Sequence, residues 1–534
     1  MGAKARERMT EKMENASEKY QRVTDKTESG SEKYRRFRKE YPAFIYHSYQ
    51  AEEAGEELKV SYFFEIPGLA KFHPTWRFPK GTQHKTADQK KLLMNILFSL
   101  GMVELVSYWK ITCSPRVIVK ARNLCAEQIE WWKNLYFHGL GEFFYVNGID
   151  EARMENFMEM IVDVSDADFI PVAAPMLEVS EANGTPAAVL VSEVSEANNM
   201  PVPTPLPNAS KADFTPVPKE GCRVLVPIGG GKDSAVTLEL LKEAKADIRG
   251  YIINPRGATT ETAKAAGLER EKVVSVYRTL DKAMLDLNQK GFLNGHTPFS
   301  AIVAFSSLAA AALDEVSYIA LSNESSANES TIQGSTVNHQ YSKSFRFEKD
   351  FHDYARRYLP GSAYYFSMLR PLSEFQIAGY FSACRAYHPI FRSCNVGSKT
   401  DVWCGHCPKC LFVAAILSPF LSQEELTAIF GKNIFEDESL WETLEQLTGI
   451  QEEKPFECVG SRREVNTALF LTAERLEKEG KTLPALLAAY RKTPQYKEAQ
   501  QIGDIFSDYF DEENLVPAPW EKLVRLRCCG EIKG

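Results

Sequence analysis

Residues 224–237 read VLVPIGGGKDSAVT, and this stretch decides the fold. An apolar run typical of a buried strand leads into three glycines, and a segment with helical spacing of apolar residues follows from Ser234. A glycine-rich turn between a strand and a helix usually holds phosphate, because backbone N–H groups at the helix N-terminus attract anions. Asp233 adds a negative charge at the same place. We therefore expect a divalent cation nearby that balances both the aspartate and the phosphate.

Two common phosphate-binding motifs do not fit this turn. A Walker loop has Ser or Thr after its lysine, whereas Asp233 follows Lys232, and the last glycine of a dinucleotide fingerprint is missing. The run is instead similar to the PP-loop of the ATP pyrophosphatase superfamily, S-G-G-x-D-S, with glycine in place of the first serine. This resemblance implies cleavage of ATP between its α and β phosphates. The cofactor-binding candidates are Gly229, Gly230, Gly231, Lys232, Asp233 and Ser234. A glycine turn that serves packing alone is the alternative.

Apolar strands alternate with helices after residue 221. We predict strands at 223–228, 248–255, 272–277 and 316–322, and helices at 234–244, 260–268 and 298–313. The alternation predicts an α/β fold, a doubly wound parallel sheet of the PP-loop/HUP-like type with helices on both faces. Ligands of such sheets bind at the carboxyl ends of the strands. Asn254 lies at the carboxyl end of the second strand, so we expect it to bind the cofactor at the same rim as the glycine turn.

The chain divides into regions by composition. The predicted parts are a disordered or frayed helical segment (1–40), an α+β N-terminal domain (41–162), a Pro/Ala-rich linker (163–220), the PP-loop ATP-binding catalytic domain with a cysteine cluster (221–416) and a helical C-terminal region (417–534). EVSEAN occurs in the linker at 178–183 and again at 193–198. Short, proline-punctuated repeats cannot bury a core, which favours a linker over the alternative, a docking motif.

Four cysteines have the spacing of a metal site. Cys394, Cys404, Cys407 and Cys410 form a C-x9-C-x2-C-x2-C pattern. Four thiolates with no open position indicate a structural Zn²⁺. A redox C-x2-C pair and an iron–sulfur cluster are the alternatives, and His406 could replace one ligand. We expect the site to hold the loop at 392–399 over the rim of the sheet.

The stretch 322–348 is dense in hydrogen-bonding side chains and follows a predicted strand. Such a loop is well placed to bind a substrate with many oxygens. Asn323 and Asn328 are substrate-binding candidates within it. Two further loops that lead into predicted helices add His296 and Arg370 as candidates.

The composition is that of an ordinary globular protein, with 44% hydrophobic and 25% charged residues. The net charge of −8 argues against nucleic acid as a partner. The first 26 residues lack the apolar core of a signal peptide, and apolar runs such as 412–421 are shorter than the about 20 residues that cross a bilayer. Eleven cysteines without an export signal favour the reducing cytoplasm. We expect a cytoplasmic protein with a small-molecule substrate and no membrane partner.

Five stretches together point to one enzyme family. They are VPIGGGKDS (226–234), NGHTPFSA (294–301), YIALSNESSANE (318–329), VNHQYSKSFRFE (337–348) and FRSCNVGSKTDVWCGHCPKCLF (391–412). They resemble the bacterial UDP-N-acetylmuramoyl-L-alanyl-L-glutamate epimerase family. The resemblance implies an isomerase of peptidoglycan and cell wall biogenesis, which also governs cell shape. It would use ATP and Mg²⁺ to invert the terminal L-glutamate of that UDP-muramoyl dipeptide to D-glutamate, through an acyl-adenylate.

This implied chemistry needs an α-proton base and cations for the UDP diphosphate. The catalytic candidates are Asp233 of the glycine turn and, as possible bases, His339, Lys343, Glu324 and His296. The cations available for the diphosphate are Arg346, Arg370 and Arg392.

Two other functions stay open. A deazaguanine synthase-like or tRNA-modifying PP-loop enzyme also combines this loop with four zinc-binding cysteines, and a non-catalytic nucleotide- and zinc-binding scaffold would bind ATP without releasing pyrophosphate.

Overall fold

The computed structural model describes residues 28–81, 85–164, 216–330, 338–397 and 400–530. Most of the predicted linker and of the predicted disordered or frayed N-terminal segment lies outside the described residues. Within that N-terminal segment, Gly30–Glu40 forms helix α1, and its Tyr34 and Phe37 are buried. The division of the chain into five parts stays a prediction.

Eleven strands among the described residues form one mixed sheet. They are β1 (Ala43–Ala54), β2 (Glu57–Ile66), β3 (Ala70–Phe72), β4 (Thr75–Pro79), β5 (Arg116–Val119), β6 (Glu159–Val162), β7 (Arg223–Pro227), β8 (Asp247–Ile253), β9 (Val273–Thr279), β10 (Tyr318–Leu321) and β11 (Tyr364–Ser367). The order across the sheet is β11-β10-β7-β8-β9-β4-β2-β1-β5-β6, and β3 pairs with β2 beside this path. The sequence-predicted strands after residue 221 are confirmed as β7 to β10, whereas β11 was not predicted.

The helices surround this sheet and make up most of the C-terminal region. They are α1, α2 (Ala87–Trp109), α3 (Ala126–Gly139), α4 (Gly141–Val146), α5 (Lys232–Glu243), α6 (Gly257–Ala265), α7 (Lys282–Gln289), α8 (Phe299–Asp314), α9 (Phe345–Tyr358), α10 (Glu374–Ala383), α11 (Pro408–Leu417), α12 (Gln423–Phe430), α13 (Trp441–Thr448), α14 (Arg462–Lys478), α15 (Ala485–Tyr490), α16 (Pro494–Ile502) and α17 (Ala518–Cys528). The predicted helices after the glycine turn are confirmed as α5, α6 and α8.

Strands β7 to β11 form a parallel part of the sheet. β7 pairs in parallel with β8 and β10, and the parallel pairing continues to β9 on one side and β11 on the other. Because parallel strands end at the same edge, the segments that follow β7, β8, β10 and β11 meet at one rim. The glycine turn, Asn254 and the polar stretch from Asn323 therefore lie along that rim, as the sequence predicted.

An antiparallel contact joins the N-terminal strands to this parallel part. β4 pairs with β9 through Thr75 and Thr279, and through Arg77 and Tyr277. β4, β2 and β1 continue in antiparallel order, and β5 and β6 extend the sheet in parallel at its far edge. The N-terminal strands and the parallel strands after residue 221 thus share a single sheet.

Both faces of the parallel part are covered by apolar cores. Along β7, Val224 and Val226 belong to the core that contains α5, α11 and α14, whereas Leu225 belongs to the core that contains α2 and α8. In β10, Ala320 belongs to the first of these cores and Ile319 belongs to the second. This alternation follows from the two-residue period of a strand, and it explains why β7 and β10 are apolar at nearly every position.

Helix α2 is long and apolar enough to cross a membrane by length and composition. However, 83% of its most apolar window is buried inside the protein, and the helix packs against α8. On its other side Gly101 lets the helix approach the sheet closely, because a Cβ there would lie 2.1 Å from the hydroxyl of Tyr46 on β1. The helix is therefore a core helix of the fold.

Candidate active site

The glycine turn after β7 leaves the N-terminus of α5 without a side-chain cap. Gly230 has a φ of +84°, which L side chains rarely adopt. Gly231 is the N-cap residue, and no side chain makes a capping hydrogen bond there. A Cβ on Gly231 would lie 2.8 Å from Ser393 Oγ, so the turn packs closely against the segment that leads to the cysteines. Backbone N–H groups at such a helix end are suited to an anion.

Lys232, the first residue of α5, is buried within the protein. Its ammonium donates to the carboxylates of Asp233 and of Glu374, the first residue of α10. Lys232 and Glu374 are each only 2% exposed. Burial alone would lower the pKa of Lys232, but the two carboxylates outweigh burial and raise this pKa. Lys232 therefore stays charged and forms the base of the turn, and its contact with a nucleotide stays a prediction.

Asp233 is surrounded by ammonium groups. Burial acts to raise its pKa, but Lys232, Lys409 and Lys343 together lower it. The side chain of Asp233 is still 30% exposed. Ser234 Oγ donates to the Gly231 carbonyl over 3.1 Å, which tightens the turn. From the sequence we expected a divalent cation to balance the charge of Asp233. These lysines supply part of that positive charge.

Three further carboxyl groups lie near this turn. Glu374 and Glu464 are both buried, and Glu464 accepts a hydrogen bond of 2.6 Å from the Glu374 backbone N–H. Burial raises the pKa of each to about 7, and for Glu464 the charge of Glu374 adds to this effect. Burial also raises the pKa of Glu324. The charge of Lys343 acts against this increase, and the charge of Asp233 adds to it. The charges of Glu374 and Glu464 therefore change near neutral pH.

Cys458, on the loop between α13 and α14, lies between two side chains of the polar stretch. Lys343 Nζ donates to its sulfur over 3.2 Å, and His339 Nε2 is 3.9 Å from the same atom. Burial alone would raise the pKa of the thiol, but Lys343, His339 and Lys409 lower it to about 5. The sulfur is therefore a thiolate at neutral pH, and Cys458 is partly exposed.

Two backbone contacts fix the loop around Cys458 to the rim. Lys409 donates to the carbonyl of Cys458, and Gln340 Nε2 donates to the carbonyl of Val459 over 3.3 Å. Lys454 on the same loop donates to Glu329 over 2.6 Å. The C-terminal region thus contributes a side chain to the rim that the parallel strands build.

Glu142 on α4 links the two candidate histidines. It accepts a hydrogen bond from His339 Nδ1, and its Oε2 is 3.1 Å from His296 Nδ1. Burial would lower the pKa of His339, but Cys458 and Glu142 raise it to about 9. Burial and then the charge of His339 lower the pKa of His296 to about 4. The ligand atoms of the three residues lie within 4.8 Å of one another, but the hydrogen bond from a charged His339 explains their approach without a metal ion.

The four predicted metal-binding cysteines converge. The sulfur of Cys394 lies 3.9 Å from that of Cys407, and the sulfur of Cys410 lies 3.7 Å from that of Cys404 and 3.5 Å from that of Cys407. Sulfurs around a tetrahedral Zn²⁺ at about 2.3 Å would be about 3.8 Å apart, so the thiols fit that ion. His406 is exposed and lies outside the four-sulfur cluster.

The segment just before the first cysteine lies against the glycine turn. Residues 398 and 399 of the predicted loop at 392–399 lie outside the described residues, and its fixation by a metal site stays a prediction. The Arg392 backbone N–H donates to the Gly230 carbonyl over 2.7 Å, and its guanidinium donates to the Asp401 carbonyl over 3.0 Å. Asp401 Oδ1 in turn accepts from the Ala258 N–H over 3.2 Å at the start of α6. Hydrogen bonds therefore connect the segment that carries the cysteine cluster to the glycine turn and to the start of α6.

The other two candidate arginines lie in different surroundings. Arg370 is fully buried, donates to Glu348 over 2.8 and 3.0 Å and also donates to the carbonyls of Glu324 and Lys343. Arg346 is exposed and contacts Asn134 over 3.2 Å. Arg370 thus supports the backbone of two candidate bases, and a direct contact of either arginine with substrate stays a prediction.

The candidate asparagines make hydrogen bonds that shape the rim. Asn323 donates to Ser367 Oγ over 3.1 Å, and Asn328 accepts from the Phe345 N–H over 2.8 Å. Asn254, with a φ of +49°, exchanges two hydrogen bonds with the backbone of Arg278. Their roles toward ligand stay predictions.

Several charged groups of the rim were missed from the sequence. They are Glu142, Glu374, Lys409, Cys458 and Glu464. Each lies far along the chain from its partner: 142 residues separate Lys232 from Glu374, and 119 separate His339 from Cys458. The capping patterns S-x-x-Q at 373–376 and S-x-x-E at 461–464 predict helix starts but no site. Lys409 lies within the cysteine pattern, which points to a metal and not to this rim.

Comparison with known proteins gives a consistent result. The MurL N-terminal domain model matches residues 36–176 and 191–368, and the MurL C-terminal domain model matches 384–501. The chain is 32% identical over 457 residues to the UDP-N-acetyl-alpha-D-muramoyl-L-alanyl-L-glutamate epimerase of Xanthomonas oryzae pv. oryzae, covering 84% of this chain and 88% of that protein. It is 33% identical over 309 residues to a Micromonospora protein of the same name, covering 57% and 68% of the two chains. A Salinispora tropica protein of that name is 36% identical over 262 residues, covering 48% and 57%. No solved structure matches the chain.

Proposed function

The chain belongs to the UDP-N-acetyl-alpha-D-muramoyl-L-alanyl-L-glutamate epimerase family, and from this membership we propose its reaction. It is an isomerase of peptidoglycan synthesis that converts the terminal L-glutamate of the UDP-muramoyl dipeptide, a small molecule, to D-glutamate. The observation that carries the proposal is the family match, which includes the glycine turn, the polar stretch and the cysteine cluster.

ATP is the proposed second substrate, and its phosphates would bind at the glycine turn. The support is the uncapped N-terminus of α5 together with a positive φ at Gly230. The parallel order β11-β10-β7-β8-β9, with the turn at the end of the central strand β7, supports the proposal of a doubly wound sheet of the PP-loop type. Lys343 and Lys409 would attract the negative phosphates, because both already lower the pKa of Asp233.

Magnesium fits the same place by the chemistry of the donors. Asp233 offers a partly exposed carboxylate next to the turn, and Mg²⁺ prefers one or two carboxylates together with phosphate oxygens. When bound, the ion would neutralise phosphate charge. Lys232 would then hold the Asp233 carboxylate in position, because its ammonium binds both Asp233 and the buried Glu374.

The proposed activation explains why an epimerase would need ATP. The α-proton of a free glutamate carboxylate is held tightly, because its loss would create a dianion. Transfer of AMP to the carboxylate removes that charge, so a base can take the proton and another acid can return one to the opposite face. Donors at the rim must stabilise the enolate oxygen meanwhile. The ammonium of Lys343 is available for this purpose.

The cysteine cluster is proposed to hold a structural Zn²⁺. The support is the set of sulfur separations between 3.5 and 3.9 Å, which match a closed tetrahedral site. The site would fix the segment whose Arg392 N–H binds Gly230. We also propose that the protein acts in the cytoplasm, because free cysteines are kept reduced there.

Pyrophosphate release tests the role of ATP. The purified protein is incubated with ATP, Mg²⁺ and the UDP-muramoyl dipeptide, and pyrophosphate and AMP are measured with and without the dipeptide. We expect both products in equal amounts only when the dipeptide is present. Formation of D-glutamate without AMP would show that the reaction does not pass through an adenylate.

A further inference from the structure

The structure brings a cysteine from the C-terminal region to the base candidates of the polar stretch. Cys458 Sγ accepts from Lys343 Nζ at 3.2 Å and lies 3.9 Å from His339 Nε2, whose other nitrogen donates to Glu142. A sulfur held between an ammonium and an imidazole is the arrangement that activates catalytic cysteines.

We propose that Cys458 is the group that exchanges the α-proton of the activated glutamate on one face, an inference that rests on the proposed function. The thiolate accepts the proton: the Cα–H bond breaks, an S–H bond forms, and the electron pair moves onto the acyl oxygen to give the enolate. A separate acid, which draws its proton from water, protonates the opposite face. Cys458 then releases this proton to water, which restores the thiolate.

Three observations favour Cys458 over its neighbours as this base. Lys343 and His339 are held in their charged forms by the groups around them, because the pKa of each is raised. A charged lysine or histidine has no lone pair with which to accept a proton. Cys458 is the opposite case, since Lys343, His339 and Lys409 favour its thiolate. Cys458 is also a partly exposed residue, so a substrate can approach it.

The location of Cys458 is compatible with the nucleotide site. Lys343 binds Cys458, and its charge also lowers the pKa of Asp233, so one ammonium acts on both the thiolate and the glycine turn. A glutamate whose carboxylate has just reacted at the turn would therefore have its Cα near Lys343. Lys343 and His339 serve as positioning residues, which keep the sulfur charged.

Cys458→Ser separates proton transfer from activation. We expect D-glutamate formation to fall by about 10²-fold or more. Exchange of labelled pyrophosphate into ATP with the dipeptide present should stay within about threefold of the natural protein, because activation does not use the sulfur. Cys222→Ser, at a partly exposed cysteine beside β7, is the matched control and should leave both activities unchanged. Natural epimerisation in Cys458→Ser, or loss of both activities in a folded variant, would overturn the proposal.

Two measurements test the role of Cys458 independently of the role of ATP and of whether the variant folds. In D₂O, the natural protein should place deuterium at Cα of the product, and Cys458→Ser should not, whether or not AMP is formed. If this variant does not fold, the natural protein is treated with iodoacetamide at pH 6.5. We then expect Cys458 to react faster than Cys222, substrate to protect it, and epimerisation to stop. Full epimerisation by protein alkylated at Cys458 would contradict the proposal.

Discussion

The ammonium of Lys232, in the glycine turn, is bound to the buried carboxylate of Glu374 at the start of α10. This ion pair joins the proposed phosphate site to the helix that follows β11. Both side chains are almost inaccessible to water. A buried pair of this kind is costly to break from one side, because the remaining charge has no partner.

Lys232→Met should therefore destabilise the protein strongly. We expect the free energy of unfolding to fall by about 3–5 kcal/mol, as measured by urea denaturation at a pH above 7, where Glu374 is ionised. Lys349→Met is the matched control, since Lys349 forms an exposed pair with Asp353 at 3.1 Å, and it should cost less than about 1 kcal/mol. The double variant Lys232→Met/Glu374→Gln should recover part of the loss. Equal effects of Lys232→Met and Lys349→Met would contradict this assignment.

The cysteine cluster should contain one zinc ion per chain. Elemental analysis of the natural protein is expected to give this ratio, and Cys410→Ser should lose the ion and lower the melting temperature, since Cys410 is fully buried at α11. Cys384→Ser, which lies outside the cluster, should keep the zinc. An iron signal, or no metal in the natural protein, would show that the cluster is not a zinc site.

The sequence predicted the local parts of this architecture well. The strand–glycine turn–helix unit, the alternating strands β7 to β10 and the four cysteines are all encoded within short windows, where apolar period and spacing act directly. The parallel order then brings Asn254 and Asn323 to the same rim as the turn.

The parts that were not predicted depend on contacts between distant segments. The pairing of β4 with β9 joins Thr75 to Thr279, and no local pattern specifies such a partner. Short β11 carries no alternation that distinguishes it from a loop. Cys458 looks like an ordinary core cysteine until folding brings it to Lys343, 115 residues away.

The free energy of unfolding should decrease as the pH rises from 4.5 through about 7, because Glu374 and Glu464 ionise in this range. The pKa values of Glu374 and Glu464 rise from the model-peptide value of 4.5 to about 7 on folding. The folded protein thus binds more protons than the unfolded chain between these values, so the stability they contribute is present below 4.5 and is lost as the pH rises through 7.

Glu464→Gln should reduce that loss. The carboxylate oxygens of Glu464 accept from the backbone N–H groups of Ser461 and Glu374, one each. Glutamine has one acceptor oxygen and keeps only one of these bonds, which lowers stability at every pH, but it cannot ionise beside Glu374. Melting temperatures between pH 5 and 8.5 should therefore decline less in this variant than in the natural protein. Glu261→Gln, at an exposed position on α6, should leave the natural pH dependence intact. An unchanged pH dependence in Glu464→Gln would contradict the raised pKa of that residue.

Asp233→Asn should abolish activation of the substrate while preserving the fold. The amide keeps the shape and can still accept from Lys232, but it removes the negative charge that we assign to a magnesium contact. We expect dipeptide-dependent pyrophosphate release to fall by about 10²-fold or more. Asp353→Asn, on the exposed side of α9, should react at the natural rate. Undiminished release from Asp233→Asn would remove the basis for the nucleotide site.

The most direct measurement is the chirality of the product. The UDP-muramoyl L-alanyl-L-glutamate dipeptide is incubated with the natural protein, ATP and Mg²⁺, and its glutamate is released by acid and resolved on a chiral column. We expect D-glutamate to accumulate with the natural protein and to be absent with Asp233→Asn or without ATP. Glutamate that remains entirely in the L form with the natural protein would contradict the proposed reaction.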